Sequence, residues 1–314
     1  MKVTVVGVGN VGLAYSIFLA KKGMEVTAVD INKEYIENLQ NGTFKSMEPG
    51  VNENLKLIHK FSSDCDNHEG DLCVVLVDTP TCYAGYDHTN LTRALDNLPQ
   101  YEAVIVAATT QPGFMAKNYA QYYYSPLFID LGNIITHEEN VRNVLMGGPL
   151  IIPVVSRFLE AIYGPEVNIH KMSHTAAEVA KLSLNCMLTT KISFANMIGE
   201  GLIKSGQGNE IENVLDFVGS DPRIGNKYIK FGWGYGGPCF PRDNRALCTY
   251  LRTWGAADYI PIATHETNER HAITMARREE NELYDDFNYK PNCPVRCETE
   301  SHKKKAKQIK ESMF

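Results

Sequence analysis

The sequence contains no run of eighteen apolar residues, so no transmembrane helix is expected. A basic leader followed by a short apolar core is missing too. Lys2 stands alone ahead of a strand that runs straight into a glycine motif, and removing that strand would destroy the fold, so a secretory signal is not expected. No internal repeat and no low-complexity tract interrupts the chain. Positive charge is in deficit: 31 Lys and Arg against 37 Asp and Glu give a net charge of −6, which disfavours nucleic acid as the main partner. Metal-ligand spacing is lacking among the eight cysteines. Cys293 and Cys297 form a C-x-x-x-C without a second pair or a nearby histidine pair, and His170 and His174, one turn apart if helical, have no third ligand. No metal is expected, and the scattered thiols are expected to be mostly reduced, buried and inert, as in a cytoplasmic protein.

What is present is ordinary globular material, 44% hydrophobic and 22% charged over 314 residues, enough for two domains and a fragment of a third. In the first half, short strands at 3–6, 25–29, 72–77, 103–107 and 127–131 alternate with helical patterns such as 11–22 and 32–41. Runs such as VTVVG, CVVLV and AVIVA are nearly all apolar, which suits a parallel sheet covered on both faces. From about Thr175 strand signals fade. Thr175-Ala176-Ala177-Glu178 reads as a capping box opening a helix that runs to Gly199 or Gly201, roughly 40 Å long. The expected fold class is α/β: a Rossmann-type doubly wound parallel sheet, then a mainly helical domain built on a long helix. The expected domains are 1–165, 166–270 and 271–314, the last a remnant or opening of a further domain. Tyr122-Tyr123-Tyr124 is expected at a sheet edge or interface, and Lys303-Lys304-Lys305 on a solvated helix face.

Gly7-Val8-Gly9-Asn10-Val11-Gly12 follows the first strand and opens a helix. Gly7 makes the tight turn, Gly9 lets backbone approach a pyrophosphate, and Gly12 lets the helix pack close. Asn10 and Val11 lie at the helix start, where free N–H groups and the dipole favour an anion. Asp30 ends the second strand eighteen residues after Gly12. Its carboxylate suits ribose hydroxyls and repels a 2′-phosphate, so NAD is expected over NADP; Lys33 nearby weakens that exclusion slightly. FAD is the rival cofactor, and the residues that follow favour a nicotinamide.

Two constellations carry chemistry. Glu178, Lys181 and Asn185 share one face of the long helix. They form either a solvated stripe with ordinary ion pairs or an oxyanion site, Lys181 and Asn185 holding an alcohol or carbonyl oxygen before the nicotinamide. The second is Gly232-Trp233-Gly234-Tyr235-Gly236-Gly237-Pro238-Cys239-Phe240-Pro241-Arg242-Asp243. Its glycines let a loop wrap a ligand, Cys239 between prolines is a candidate nucleophile, and Asp243, one turn later, a candidate base or water anchor. A buried thiol in a structural turn is the bland alternative.

From residue 1 to about 270 the sequence resembles the UDP-glucose/GDP-mannose dehydrogenases. The resemblance rests on GYGGPCFPRD, AEVAKLSLNCMLTTKISFAN, DPRIG at 221–225, Thr79-Pro80-Thr81, and Thr109-Thr110-Gln111-Pro112-Gly113 near the nicotinamide side. It implies a four-electron oxidation of a sugar C6 alcohol to the acid by two NAD, through a thiohemiacetal and a thioester on Cys239. Lys181 and Asn185 then stabilise the alkoxide, Asp243 works with a water, and Thr109 helps place it. Thr79 and Pro80 join the cofactor site. Phe128, Tyr228 and the loop with Gly234, Gly236 and Gly237 enclose the sugar nucleotide, and Arg223 reaches a partner subunit's site, implying a homodimer on the long helix.

Two departures stand out. Where the family has S-P-E-F-x-x-E, this chain reads Ser125-Pro126-Leu127-Phe128-Ile129-Asp130-Leu131, with leucine at both acidic positions. The first acid normally assists thioester hydrolysis; Asp130, if on a strand, points away from the Leu131 side. The family's C-terminal nucleotide-binding domain cannot be formed by about 45 residues, so the chain reads as truncated. A catalytically impaired homologue binding NAD and a sugar nucleotide, and a two-electron β-hydroxyacid dehydrogenase, are the competing readings.

Overall fold

The computed structural model describes residues 1–64, 70–82 and 85–280. The C-terminal segment, the Cys293/Cys297 pair and the lysines at 303–305 lie outside the described residues. The chain divides into two compact units, one of residues 1–82 and 86–181, the other of residue 85 and the described residues from 182 onward.

The first unit holds an eight-stranded sheet of β1 (Lys2–Val6), β2 (Glu25–Val29), β3 (Lys60–Ser62), β4 (Leu72–Val75), β7 (Ala103–Val106), β8 (Tyr123–Tyr124), β9 (Asn143–Gly147) and β10 (Asn168–Met172). A separate two-stranded ribbon pairs β5 (Thr81–Cys82) with β6 (Gly85–Tyr86). The sheet order is β10-β9-β8-β7-β4-β1-β2-β3, so the chain reverses direction of travel between β1 and β4. That reversal opens the crevice at strand carboxyl ends where open α/β sheets bind ligands. Pairing is parallel from β3 through β8, with Val3 opposite Val26 and Leu72; β9 and β10 run antiparallel to those strands.

Helices α1 (Asn10–Lys21), α2 (Lys33–Gln40), α3 (Val51–Asn54), α4 (Thr89–Asp96), α5 (Phe114–Asn118), α6 (Ile134–Glu139) and α7 (Pro153–Tyr163) complete the unit. Two cores flank the sheet. Val3, Val5, Leu13, Ile17, Phe18, Ile134 and Phe158 fill one face, and Val75, Leu91, Val106, Met115 and Tyr124 the other. Burial on both faces is why the strands read as continuous apolar runs, each large side chain contributing about 1.5–3 kcal/mol.

Several expectations require correction. Residues 127–131 form no strand. Tyr123 and Tyr124 take that place inside the sheet, 3% and 0% exposed, rather than capping its edge. Past Pro126 the chain leaves the ladder, and the buried Glu48 carboxylate draws it away by accepting from Gly132 N (2.9 Å) and Ile134 N (2.8 Å). Strands β3, β5, β6, β9 and β10 have no counterpart among the expected strands; β10 is largely polar and half-exposed, as edge strands often are. His170 lies on β10, not a helix, and no group of three His, Cys, Asp or Glu able to hold a metal occurs among the described residues.

The long helix, α8 (His174–Lys204), has 31 residues, or about 46 Å at 1.5 Å each. Ser173 caps it, its Oγ accepting from Ala176 N at 3.3 Å. The expected capping box is not made, because Glu178 spends its carboxylate elsewhere. The second unit adds α9 (Ile211–Ser220), α10 (Phe240–Thr253) and α11 (Tyr259–Glu280) around Ala195, Ile211, Leu215, Ile229, Phe231 and Met275. Gly199 is required there: a Cβ would lie 2.1 Å from the Phe231 ring. No helix among the described residues is long and apolar enough to cross a membrane.

Candidate active site

Between β1 and α1 each glycine has its own physical reason. Gly7 sits at φ +88°, and a Cβ there would lie 2.8 Å from Val77 N; one on Gly12 would lie 2.0 Å from the Gly7 carbonyl oxygen. Gly9 faces open space. The first turn of α1 has no side-chain cap and no acidic residue, leaving its N–H groups to an anionic ligand. Asp30 holds the turn from below: Oδ2 accepts from Val8 N and Oδ1 from Asn32 N, both at 3.1 Å. The Tyr35 hydroxyl donates to the Val8 carbonyl at 2.9 Å, and burial beside Asp30 pushes it up to about 12. A groove of about 580 Å³ is lined by Gly9, Asn10, Asp30, Asn32, Tyr35 and Lys45, among others. Val11 is half-buried, and Lys33 is exposed at the start of α2. An open glycine, an uncapped helix start and a carboxylate at one groove fit a dinucleotide.

The segment 109–115 is held from three elements of the same unit. Thr79 Oγ1 donates to the Thr109 carbonyl at 2.8 Å, with Pro80 exposed next to it. Glu178, fully buried, accepts from Thr110 Oγ1 (2.8 Å), Gly113 N (2.6 Å) and Met115 N (2.9 Å); burial still raises its carboxyl above the usual range. Gln111 N donates to His88 Nε2 at 3.1 Å. His88 stacks on Phe114 at 3.9 Å, and burial lowers it to about 4. Sequence spacing places Glu178 on the correct helix face and the turn 109–113 includes Thr110, but nothing local links the two or marks His88, which meets that turn at Gln111.

The polar stripe on α8 is buried, with Glu178, Lys181 and Asn185 at 0%, 6% and 8% exposure, so the solvated-stripe reading does not hold. Lys181 Nζ donates to the Leu127 carbonyl at 2.8 Å and sits 4.3 Å from the Phe128 ring centroid, a cation–π contact. The leucine-substituted segment therefore meets the ammonium through backbone oxygen and an aromatic face. Leu131 is 56% exposed, and Asp130 is exposed too, on irregular backbone rather than a strand.

In the second unit Asn185 Nδ2 donates to Asp243 Oδ2 at 2.7 Å, and Arg242 Nε reaches Asp243 Oδ1 at 3.2 Å. Asp243 is fully buried and its N–H bonds the Cys239 carbonyl at 2.9 Å, closing the first turn of α10. Cys239 is the N-cap of that helix and is exposed, unlike Cys73 and Cys186, which are buried. Of the loop glycines, Gly234 is buried, Gly236 half-buried and Gly237 exposed. Tyr228, half-buried, has φ +67° and is the one described non-glycine residue with positive φ. Arg223 is exposed and forks onto Asp221 through Nε (2.9 Å) and Nη2 (2.6 Å). Thus Cys239, Asp243 and Asn185 come together, as do Lys181 and Phe128, and Thr79 and Thr109.

Residues 1–147 match the NAD-binding domain of the UDP-glucose/GDP-mannose dehydrogenase family, and residues 175–270 match its central domain. The chain belongs to that family. Its cofactor is NAD, consistent with the groove at Asp30. It is 28% identical over 301 residues to the UDP-glucose 6-dehydrogenase TuaD of Bacillus subtilis, covering 87% of this chain and 64% of TuaD. A UDP-glucose dehydrogenase from Pyrobaculum islandicum superposes with TM-score 0.77 at 25% identity, over 89% of this chain and 71% of that one. A UDP-D-ManNAc dehydrogenase from Pyrococcus horikoshii gives TM-score 0.74 at 24% identity, over 93% and 73%, a likeness of fold. The chain spans a little under two thirds of its curated Bacillus subtilis relatives, 64% of TuaD and 61% of the UDP-glucose 6-dehydrogenase YwqF.

Proposed function

We propose that the protein is a nucleotide-sugar 6-dehydrogenase that oxidises the C6 alcohol of UDP-glucose, or a related UDP- or GDP-sugar, to the carboxylic acid. The carrying observation is the exposed Cys239 thiol at the start of α10, one turn from a buried Asp243 that Asn185 holds. Bound NAD supplies the electron acceptor for each of the two oxidations. Lys181 and Asn185 stabilise the developing alkoxide by positive charge and hydrogen bonding. The Cys239 sulfur adds to the aldehyde carbon, giving a thiohemiacetal whose alkoxide takes a proton. Removing the second electron pair from that carbon leaves a thioester, and water, placed by Asp243 with Thr109, adds there and expels the thiolate. Phe128, Tyr228 and the loop bearing Gly234, Gly236 and Gly237 enclose the sugar nucleotide. In this reading residues 1–165 carry the cofactor, and residues 166–270 carry catalysis and dimerisation. Exposed Leu184, Met187, Phe194 and Met197 along α8 support a homodimer built on that helix, to which Arg223 belongs as a residue reaching the partner's site. The cysteines among the described residues are not in disulfides, which fits the cytoplasm.

Leu127 and Leu131 favour a second reading, a homologue stalled at the thioester. Stopped-flow absorbance of NADH with UDP-glucose separates the two. Sustained turnover at two NADH per sugar supports the dehydrogenase. A single burst that then stalls, with mass retained on Cys239, supports the impaired homologue.

A further inference from the structure

The loop before Cys239 is gripped by its backbone. Asn196 Oδ1 accepts from Gly232 N at 2.8 Å, and His271 Nε2 meets the Gly232 carbonyl at 2.5 Å. Asn268 takes both ends of the next peptide pair: Oδ1 accepts from Tyr235 N at 2.8 Å, and Nδ2 donates to the Tyr235 carbonyl at 2.9 Å. Gly234 makes room for this, since a Cβ there would lie 2.5 Å from Asn268 Oδ1. The glycine is thus explained by a polar side chain inside the protein. His271 is itself fixed by Glu200, whose Oε1 lies 2.5 Å from Nδ1. Both ring nitrogens thus face oxygen atoms, Glu200 Oε1 on one side and the Gly232 carbonyl on the other. Beyond the loop, Asn244 Nδ2 donates to the Tyr235 hydroxyl and to Thr189 Oγ1, both at 3.0 Å. Asn196, Asn268, His271 and Asn244 are each at most 5% exposed.

We infer that Asn268 and His271, one turn apart on α11, are positioning residues that hold the glycine loop and so fix where Cys239 is presented. The inference deepens the dehydrogenase reading and rests on it for the role of Cys239. Buried side chains that satisfy a loop's N–H and C=O groups make its conformation unique, because any displaced conformation strands both sets of polar atoms. The single planar amide of Asn268 reads both the N–H and the C=O of Tyr235, as a paired strand would.

The test is hydrogen exchange by mass spectrometry on the full chain, alongside steady-state kinetics. Asn268→Ala is expected to raise exchange in a peptide covering 232–237 by about tenfold, the equivalent of one lost buried hydrogen bond, with α9 peptides unchanged. Asn268→Asp, which keeps the acceptor for Tyr235 N, is expected to recover part of that protection. Among turnover constants, kcat is expected to fall about tenfold while KM for NAD stays put. The inference is overturned if loop exchange does not change, if α9 loosens equally, or if kcat is retained in Asn268→Ala. A wild-type protein that makes no NADH from any sugar nucleotide would instead count against the dehydrogenase reading, and the exchange contrast, which needs no substrate, would still decide the clamp.

Discussion

Replacing Glu138 by glutamine removes a charge from the interior of the first unit while keeping its shape. Glu138 lies in the last turn of α6 at 1% exposure, and the Tyr163 hydroxyl donates to it at 2.7 Å. Tyr15, hydrogen-bonded to Tyr163, lies behind, and burial raises both phenols far enough to keep them neutral. Burial pushes the Glu138 carboxyl from 4.5 up to about 7. The folded protein therefore holds a proton that the unfolded chain has released. Below pH 4.5 both states are protonated and no cost arises; stability then falls as pH rises towards 7, and above 7 the full cost is present. A shift of that size corresponds to about 3 kcal/mol. Glu138→Gln is accordingly expected to gain about 2–3 kcal/mol at pH 8, roughly 5–10 °C in melting temperature for a unit of this size, and almost nothing at pH 4.5. Thermal melts of both proteins by circular dichroism across pH 4.5–8.5 provide the assay, the difference cancelling every other titrating group. A pH-independent difference, or a variant less stable at pH 8, would refute the reasoning.

Further outcomes follow from the same geometry. Gly12→Ala would drive a methyl into the Gly7 carbonyl, so NAD affinity by fluorescence titration should fall at least about 100-fold, since the turn must move to admit it. Glu178→Ala strands buried donors at Thr110, Gly113 and Met115 and should cost about 3–5 kcal/mol in urea unfolding; a loss under about 1 kcal/mol would show that water replaces the carboxylate. Lys181→Met keeps the stem over Phe128 but removes the charge, so kcat for sugar oxidation should drop about 100-fold or more with NAD affinity unchanged.

Sequence alone reached furthest where one residue type answers one physical demand. The β1 turn needs a glycine at φ +88°, a glycine open to ligand and a glycine under a carbonyl, and those demands read directly as Gly7, Gly9 and Gly12. Strand β2 was legible because Glu25–Val29 alternates little and is buried on both faces. Residues 127–131 misled because apolar composition looks like strand, whereas Pro126 and the remote Glu48 decide the backbone. The stripe Glu178, Lys181, Asn185 was visible by spacing, yet its destinations at Thr110, Leu127 and Asp243 lie more than fifty residues away. His88, Asn244, Asn268 and His271 gave no local signal, since each acts by filling a hydrogen-bonding need created elsewhere in the fold.

The central claim is that Cys239 carries the second oxidation. It is tested most directly by counting NADH per UDP-glucose consumed, in wild type and Cys239→Ser. The proposed chemistry predicts two NADH per sugar and the uronic acid for wild type, with acid formation lost in the serine variant. Equal yields of acid from both proteins, or one NADH per sugar from each, would contradict it.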